Sequence, residues 1–164
     1  MQILHKSLAW LRDTLILMII FEKIFIVVLA TIGFILASYI RSHKKTERPL
    51  VCPLEGSCET VVHSEYSSLF GIPLELLGMV YYGLIAISYA FIILFGYLVP
   101  GYTSTALMIL SLIAFIFSLY LTAVQAFIIH HWCTWCLFSA SISTLICILS
   151  LFIFIESTFG QLPF

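Results

Sequence analysis

Charge is what this sequence has least of: Asp, Glu, Lys and Arg make up 9% of its 164 residues, against about a quarter in a typical soluble domain. That scarcity excludes an ordinary water-soluble fold, because too few polar groups exist to cover its surface. Basic residues are few as well, with seven Lys and Arg against eight Asp and Glu and a formal net charge of −1. No basic stripe is available to neutralise phosphates, which excludes nucleic acid as a partner. Repeats and low-complexity segments are lacking too. A cleavable signal peptide is not recognisable: His5, Lys6, Arg12 and Asp13 interrupt the apolar residues of the N-terminus, and no small-residue cleavage site follows a short apolar core. Residues 1–13 read instead as a cytosolic or interfacial lead-in to a first membrane span.

What the sequence has in quantity is hydrophobic residues, 62% of the total, with a mean hydropathy of +1.16. They are gathered into apolar stretches at 24–40, 76–99, 103–129 and 132–155. The first is short alone and extends backwards through residues 14–21 across Glu22 and Lys23. About 20 residues at ~1.5 Å each cross the ~30 Å hydrocarbon layer as a helix. No water reaches the backbone there, so helices are the expected form. The fold class is therefore all-α and integral to a membrane: a four-transmembrane-helix bundle forming one domain over residues 1–164. Between spans one and two lies a polar loop, 41–73, that carries most of the charge. The other links, at Pro100–Tyr102 and around His130 and His131, are short. Pro73 suits the first turn of span two, where a missing N–H costs nothing. Counting crossings places the long loop and the 130–136 region on the same side.

Five cysteines are present, two of them in each of two close pairs. Cys52 and Cys58 lie in the loop as C-P-L-E-G-S-C. Pro53 and Gly56 favour a bend that brings the two Cα atoms into disulfide range. Cys133 and Cys136 form C-T-W-C at the entrance to span four, and i,i+3 spacing sets both on one helical face. A helix N-terminus favours thiolate, and protonated His130 or His131 would add to that. Thiolate is the species that attacks disulfides. Cys133 is then expected nearer water, and Cys136 one turn deeper. Cys147, alone within span four, reads as small apolar filler. Two other classes compete with a redox relay. The four paired cysteines with His63, His130 and His131 would supply ligands for a Cys/His metal site, although C-x5-C is loose for zinc. A structural or channel-like bundle with incidental thiols is the third.

The run C-P-L-E-G-S-C-E-T-V-V-H-S-E-Y-S-S-L-F-G-I-P-L-E-L-L-G-M-V-Y-Y, followed by C-T-W-C at a helix start, resembles the bacterial branch of the vitamin K epoxide reductase (VKOR) family. The elements come in that family's order: a loop cysteine pair, a serine six residues after its second member, G-x-P before a helix, and CxxC on the fourth helix. DsbB-like enzymes catalyse similar chemistry with the two pairs in the reverse order. The resemblance implies that Cys52 exchanges with a separate thioredoxin-fold partner of DsbA type. Cys58 then forms a transient disulfide with Cys133, and Cys136 delivers the electron pair to a quinone, ubiquinone or menaquinone, with no metal required. Ser64 matches the serine beside the active site, and residues 59–70 match a re-entrant half-helix that caps the bundle. Leu77, Tyr81, Leu121 and Ala140 fall at positions of the quinone pocket. Leu74 and Ala140 stand where the vertebrate enzymes carry an asparagine and a tyrosine that hydrogen-bond vitamin K, so an ordinary respiratory quinone is the better acceptor. No thioredoxin-like segment follows span four, which points to a separate partner.

Gln125, an amide within span three and eight residues before Cys133, is expected two turns below the CxxC, as donor to a quinone carbonyl or as an interhelical hydrogen-bonding group. Charge alone sets the orientation poorly: Lys6, Arg12 and Lys23 flank span one on one side, and Arg41, Lys44, Lys45 and Arg48 on the other. The positive-inside rule places the loop inside. Cytosolic glutathione would oppose disulfide formation, so the expectation is a bacterial inner-membrane protein with its cysteines facing the periplasm.

Overall fold

The structure is a computed structural model that describes residues 2–46, 61–62, 67–69, 71–96 and 102–159. Helix α1 runs Gln2–Lys45, α2 Leu74–Phe95, α3 Tyr102–Val124 and α4 Thr134–Phe159. A π-helical turn, Gln125–Ile129, continues α3. Four segments are long and apolar enough to cross a membrane: Ile20–Lys45, Leu74–Phe95, Tyr102–Ile129 and Thr134–Glu156. At ~1.5 Å per residue α1 is roughly 66 Å long, so its N-terminal part continues well beyond one bilayer thickness. The chain is a multi-pass membrane protein, and side chains such as Ile87 and Leu94, 72% and 71% exposed, face where lipid would lie.

Apolar burial drives helices together weakly when lipid is as apolar as leucine, so close packing and internal hydrogen bonds must hold the bundle. Both are visible. Helix α1 packs along α2 and α4, and α3 along α4, around a core that includes Ile26, Tyr82, Ile85, Tyr89 and Ile146. Gly33 admits the Tyr82 ring so closely that an added Cβ would stand 2.6 Å from it. The Tyr82 hydroxyl donates to the Ser139 carbonyl at 2.8 Å. Tyr89 donates to Ser150 Oγ at 3.1 Å, and Ser111 Oγ lies 3.4 Å from the same oxygen. Other hydroxyls bond back along their own helix, as Thr31 does to the Val27 carbonyl and Thr144 to the Ala140 carbonyl, which satisfies them without water.

The long connection between α1 and α2 is shorter than the sequence suggested, because α1 continues to Lys45. Its end is a small hairpin in which β1 (Ser68–Leu69) pairs antiparallel with β2 (Ile72–Pro73). Gly71 turns it with φ +80°, a left-handed conformation that glycine adopts without strain. Pro73 is the N-cap of α2 (φ −64°, ψ 135°), one position ahead of the expected first-turn site. The half-helix expected over 59–70 is corrected at its end, since Ser68 and Leu69 are extended strand. Val61 and Val62 are helical within it. They pack with Ile40 and Cys133 in a second buried cluster over the mouth of the bundle.

Candidate active site

The site begins at the turn between α3 and α4. A π-turn accommodates one residue more than an α-turn and swings the chain outward, and His130, left-handed at φ 56°, ends it. The chain then reverses so sharply that Gln125 Oε1 accepts the backbone N–H of Cys133 at 3.2 Å. Gln125 is therefore level with the CxxC. The expectation of two intervening helical turns is corrected, because the helix does not continue past Ile129. Its side chain satisfies one of the N–H groups that a helix start leaves without a partner, and its –NH2 remains the donor end.

Cys133 sits just before the first turn of α4 and is fully buried, enclosed by Ile40, Val61 and Val62. This differs from the expected water-facing position, since the loop residues close over it. The Cys136 N–H donates to Cys133 Sγ at 3.4 Å. A hydrogen bond from the Cys136 side chain holds the Cys133 thiol below its ordinary range, with help from the backbone N–H groups of Cys136 and Trp135, and burial opposes it. His130 and His131, just before the pair, are exposed. Trp135, between the two cysteines, packs its ring at a tilt against Tyr39 of α1, centroids 5.4 Å apart, and so sets that face of α4 against the first helix.

Below this pair opens a cavity of about 430 Å³, a volume suited to a small organic ligand. Cys136 forms part of its wall, together with Leu77, Tyr81, Leu121, Gln125 and Ala140. The five pocket positions named from the family pattern and Gln125's placement thus border one space, and Cys136 borders it with them. The Tyr81 hydroxyl faces Ser111 and Ser143 yet forms no well-directed hydrogen bond. The Ser143 hydroxyl is likewise buried without a partner among the described residues. Polar groups left open around a cavity in this way suit a ligand that brings its own acceptors.

Sequence reasoning missed the ion pair on the cavity's rim. Glu75, in the first turn of α2, holds Lys44 Nζ at 2.8 Å through Oε1 with only 7% of its side chain exposed. Lys44 also donates to Ser67 Oγ at 3.1 Å. The signal was present: a carboxylate inside an apolar span is costly and marks function or pairing. Cys52, Cys58 and Ser64 lie outside the described residues, as does His63. Among the described residues no three His, Cys, Asp or Glu side chains come together to hold a metal ion. Cys147 is half-buried and away from the cavity lining.

Compared with known families, the chain matches the sequence model of the vitamin K epoxide reductase family over residues 24–151. No curated protein matches it.

Proposed function

The chain belongs to the vitamin K epoxide reductase family, whose members are quinone-dependent thiol oxidoreductases of the membrane, and from that premise we propose which residues carry the electrons and to whom. The Cys52–Cys58 pair takes electrons from a separate DsbA-like thioredoxin-fold protein. Cys58 passes them to Cys133, and the Cys133–Cys136 pair reduces a quinone, ubiquinone or menaquinone, in the cavity. In balanced form, two thiols of the partner become a disulfide and the quinone gains two electrons and two protons. The thiol chemistry faces the periplasm of a bacterial inner membrane.

One observation carries this reading: Cys136 borders the cavity while its partner Cys133 lies under the loop, so the pair connects the two compartments. Val61 touches the Cys133 cluster. Cys58 precedes it by three positions, at most about 11 Å of fully extended chain, which supports an exchange between Cys58 and Cys133. The depressed Cys133 thiol makes it the member of the pair on which negative charge is best held. That suits it to be the sulfur released when Cys58 leaves, since a lower-pKa thiol departs faster. Gln125 holds the Cys133 backbone, and Leu77, Leu121 and Ala140 supply apolar walls for a quinone ring.

Anaerobic turnover with a reduced DsbA-like protein and a soluble quinone tests the route. Quinone loss is expected in the wild type and not in Cys136→Ala. Cys58→Ala is expected to trap a mixed disulfide between Cys52 and the partner. A trapped adduct on Cys133 instead would reverse the assigned order of the pairs.

A further inference from the structure

Reducing a quinone inside an apolar cavity needs protons as well as electrons, and the structure holds a carboxylate beside Cys136 that the thiol relay does not use. Glu75 lines the same cavity as Cys136 and lies within electrostatic range of its thiol. Its two oxygens are treated differently. Oε1 is fixed by Lys44 at 2.8 Å, and Oε2 is buried with no partner among the described residues. A paired carboxylate with one oxygen left open is an odd structural device, because an unsatisfied buried acceptor costs free energy. It is a sensible arrangement for a group that must accept and release a proton.

We propose that Glu75 is the proton carrier of the cavity, anchored by Lys44 and recharged from water at the Lys44 end. The inference rests on the quinone reading above and deepens it. The step begins from the reduced pair with the Cys133 sulfur as thiolate, the acceptor of the Cys136 side chain's hydrogen bond, and with the proton on Cys136. When the electron pair passes to the quinone, the Cys136 S–H bond breaks and the Cys133–Cys136 S–S bond forms. Glu75 takes the Cys136 proton and gives it to one quinone oxygen. It then takes a second proton from water at the outer rim and gives it to the other oxygen. Two electrons and two protons reach the quinone, and the carboxylate ends as it began. Lys44 and Ser67 are positioning residues in this scheme. Lys44 is 24% exposed, which gives the pair its contact with solvent.

Tyr81 of α2 and Cys136 of α4 share the cavity lining with Glu75, and Lys44 of α1 pairs with it. Carboxylic residues that move protons in catalysis typically contribute 10²–10⁴-fold. The test is single-turnover oxidation of the pre-reduced, full-length protein in detergent by a soluble quinone. Glu75→Gln is expected to slow the first-order step by about 10²-fold with little change in quinone affinity. Glu75→Asp, which keeps the carboxylate, should recover part of the rate. Should Glu75→Gln not fold because Lys44 is stranded, Glu75→Gln with Lys44→Met removes both charges and carries the same expectation. Retention of the wild-type rate in either variant overturns the proposal. If the wild type itself consumes no quinone, the parent reading fails. If the wild type turns over and the variants keep pace, only the role of Glu75 does.

Discussion

Cys133 concentrates the chemistry of this molecule in one sulfur. It is buried, it receives the Cys136 side chain and two backbone N–H groups, and its thiol is held low as a result. Thiolate should therefore persist as pH falls below the ordinary thiol value of about 8.5, disappearing only through the depressed one. Ultraviolet thiolate absorbance against pH, in a variant lacking Cys52, Cys58 and Cys147, should show that lower midpoint. Cys136→Ala in the same background removes the largest cause and should move the midpoint up. An unmoved midpoint would mean that the backbone donors alone hold the charge. Gln125 is the second residue of consequence. Gln125→Leu deprives the Cys133 N–H of its acceptor, a loss comparable to removing a helix cap, about 1 kcal/mol. Thermal unfolding in detergent should report that loss, and quinone affinity should fall because the reactive pair is no longer held at the cavity wall. Unchanged stability and affinity together would leave Gln125 without a role.

At the scale of elements, the bundle depends on close approach. Gly33→Ala places a methyl group 2.6 Å from the Tyr82 ring, and that ring cannot swing aside without losing its bond to Ser139. Overpacking of this kind costs about 1–3 kcal/mol. The substitution should lower the unfolding midpoint and, because Tyr82 and Ser139 border the cavity, weaken quinone binding too. Tyr82→Phe combined with Gly33→Ala should not restore stability, since the ring remains. The four spans were legible in the sequence because twenty apolar residues in a row have one solution in lipid. The CxxC at the start of the last helix was legible for the same reason: the apolar run begins there. The turn before it was not. Nothing in Q-A-F-I-I-H-H marks a π-turn, and only the folded path shows Gln125 reaching back to Cys133. Glu75 was visible only as a charge one residue before the second apolar stretch, and its partner Lys44 is distant in sequence and falls in the stretch read as a loop. The sequence also placed Cys133 toward water, because the Val61–Val62 cover comes from a segment whose local pattern does not reveal where it docks.

On the scale of the whole molecule, all four spans converge at one end. Lys44 of α1 meets Glu75 of α2, Val61 and Val62 meet Cys133, and the α3–α4 turn closes beside them. Among the described residues, the reactive groups thus gather at one end of the bundle. Sidedness follows as a testable matter: on intact cells a membrane-impermeant thiol reagent should modify the reduced Cys52 or Cys58. Modification only after permeabilisation would put the loop in the cytosol and contradict the orientation proposed. The relay itself is tested most directly with Cys52→Ala/Cys58→Ala protein, reduced beforehand and mixed anaerobically with a soluble quinone. A dithiol gives up two electrons, so quinone loss should equal the protein present, with a Cys133–Cys136 disulfide formed. Adding Cys136→Ala should abolish it. Quinone loss that survives removal of Cys136, or none in its presence, would contradict the assignment of the cavity as the place where electrons leave the protein.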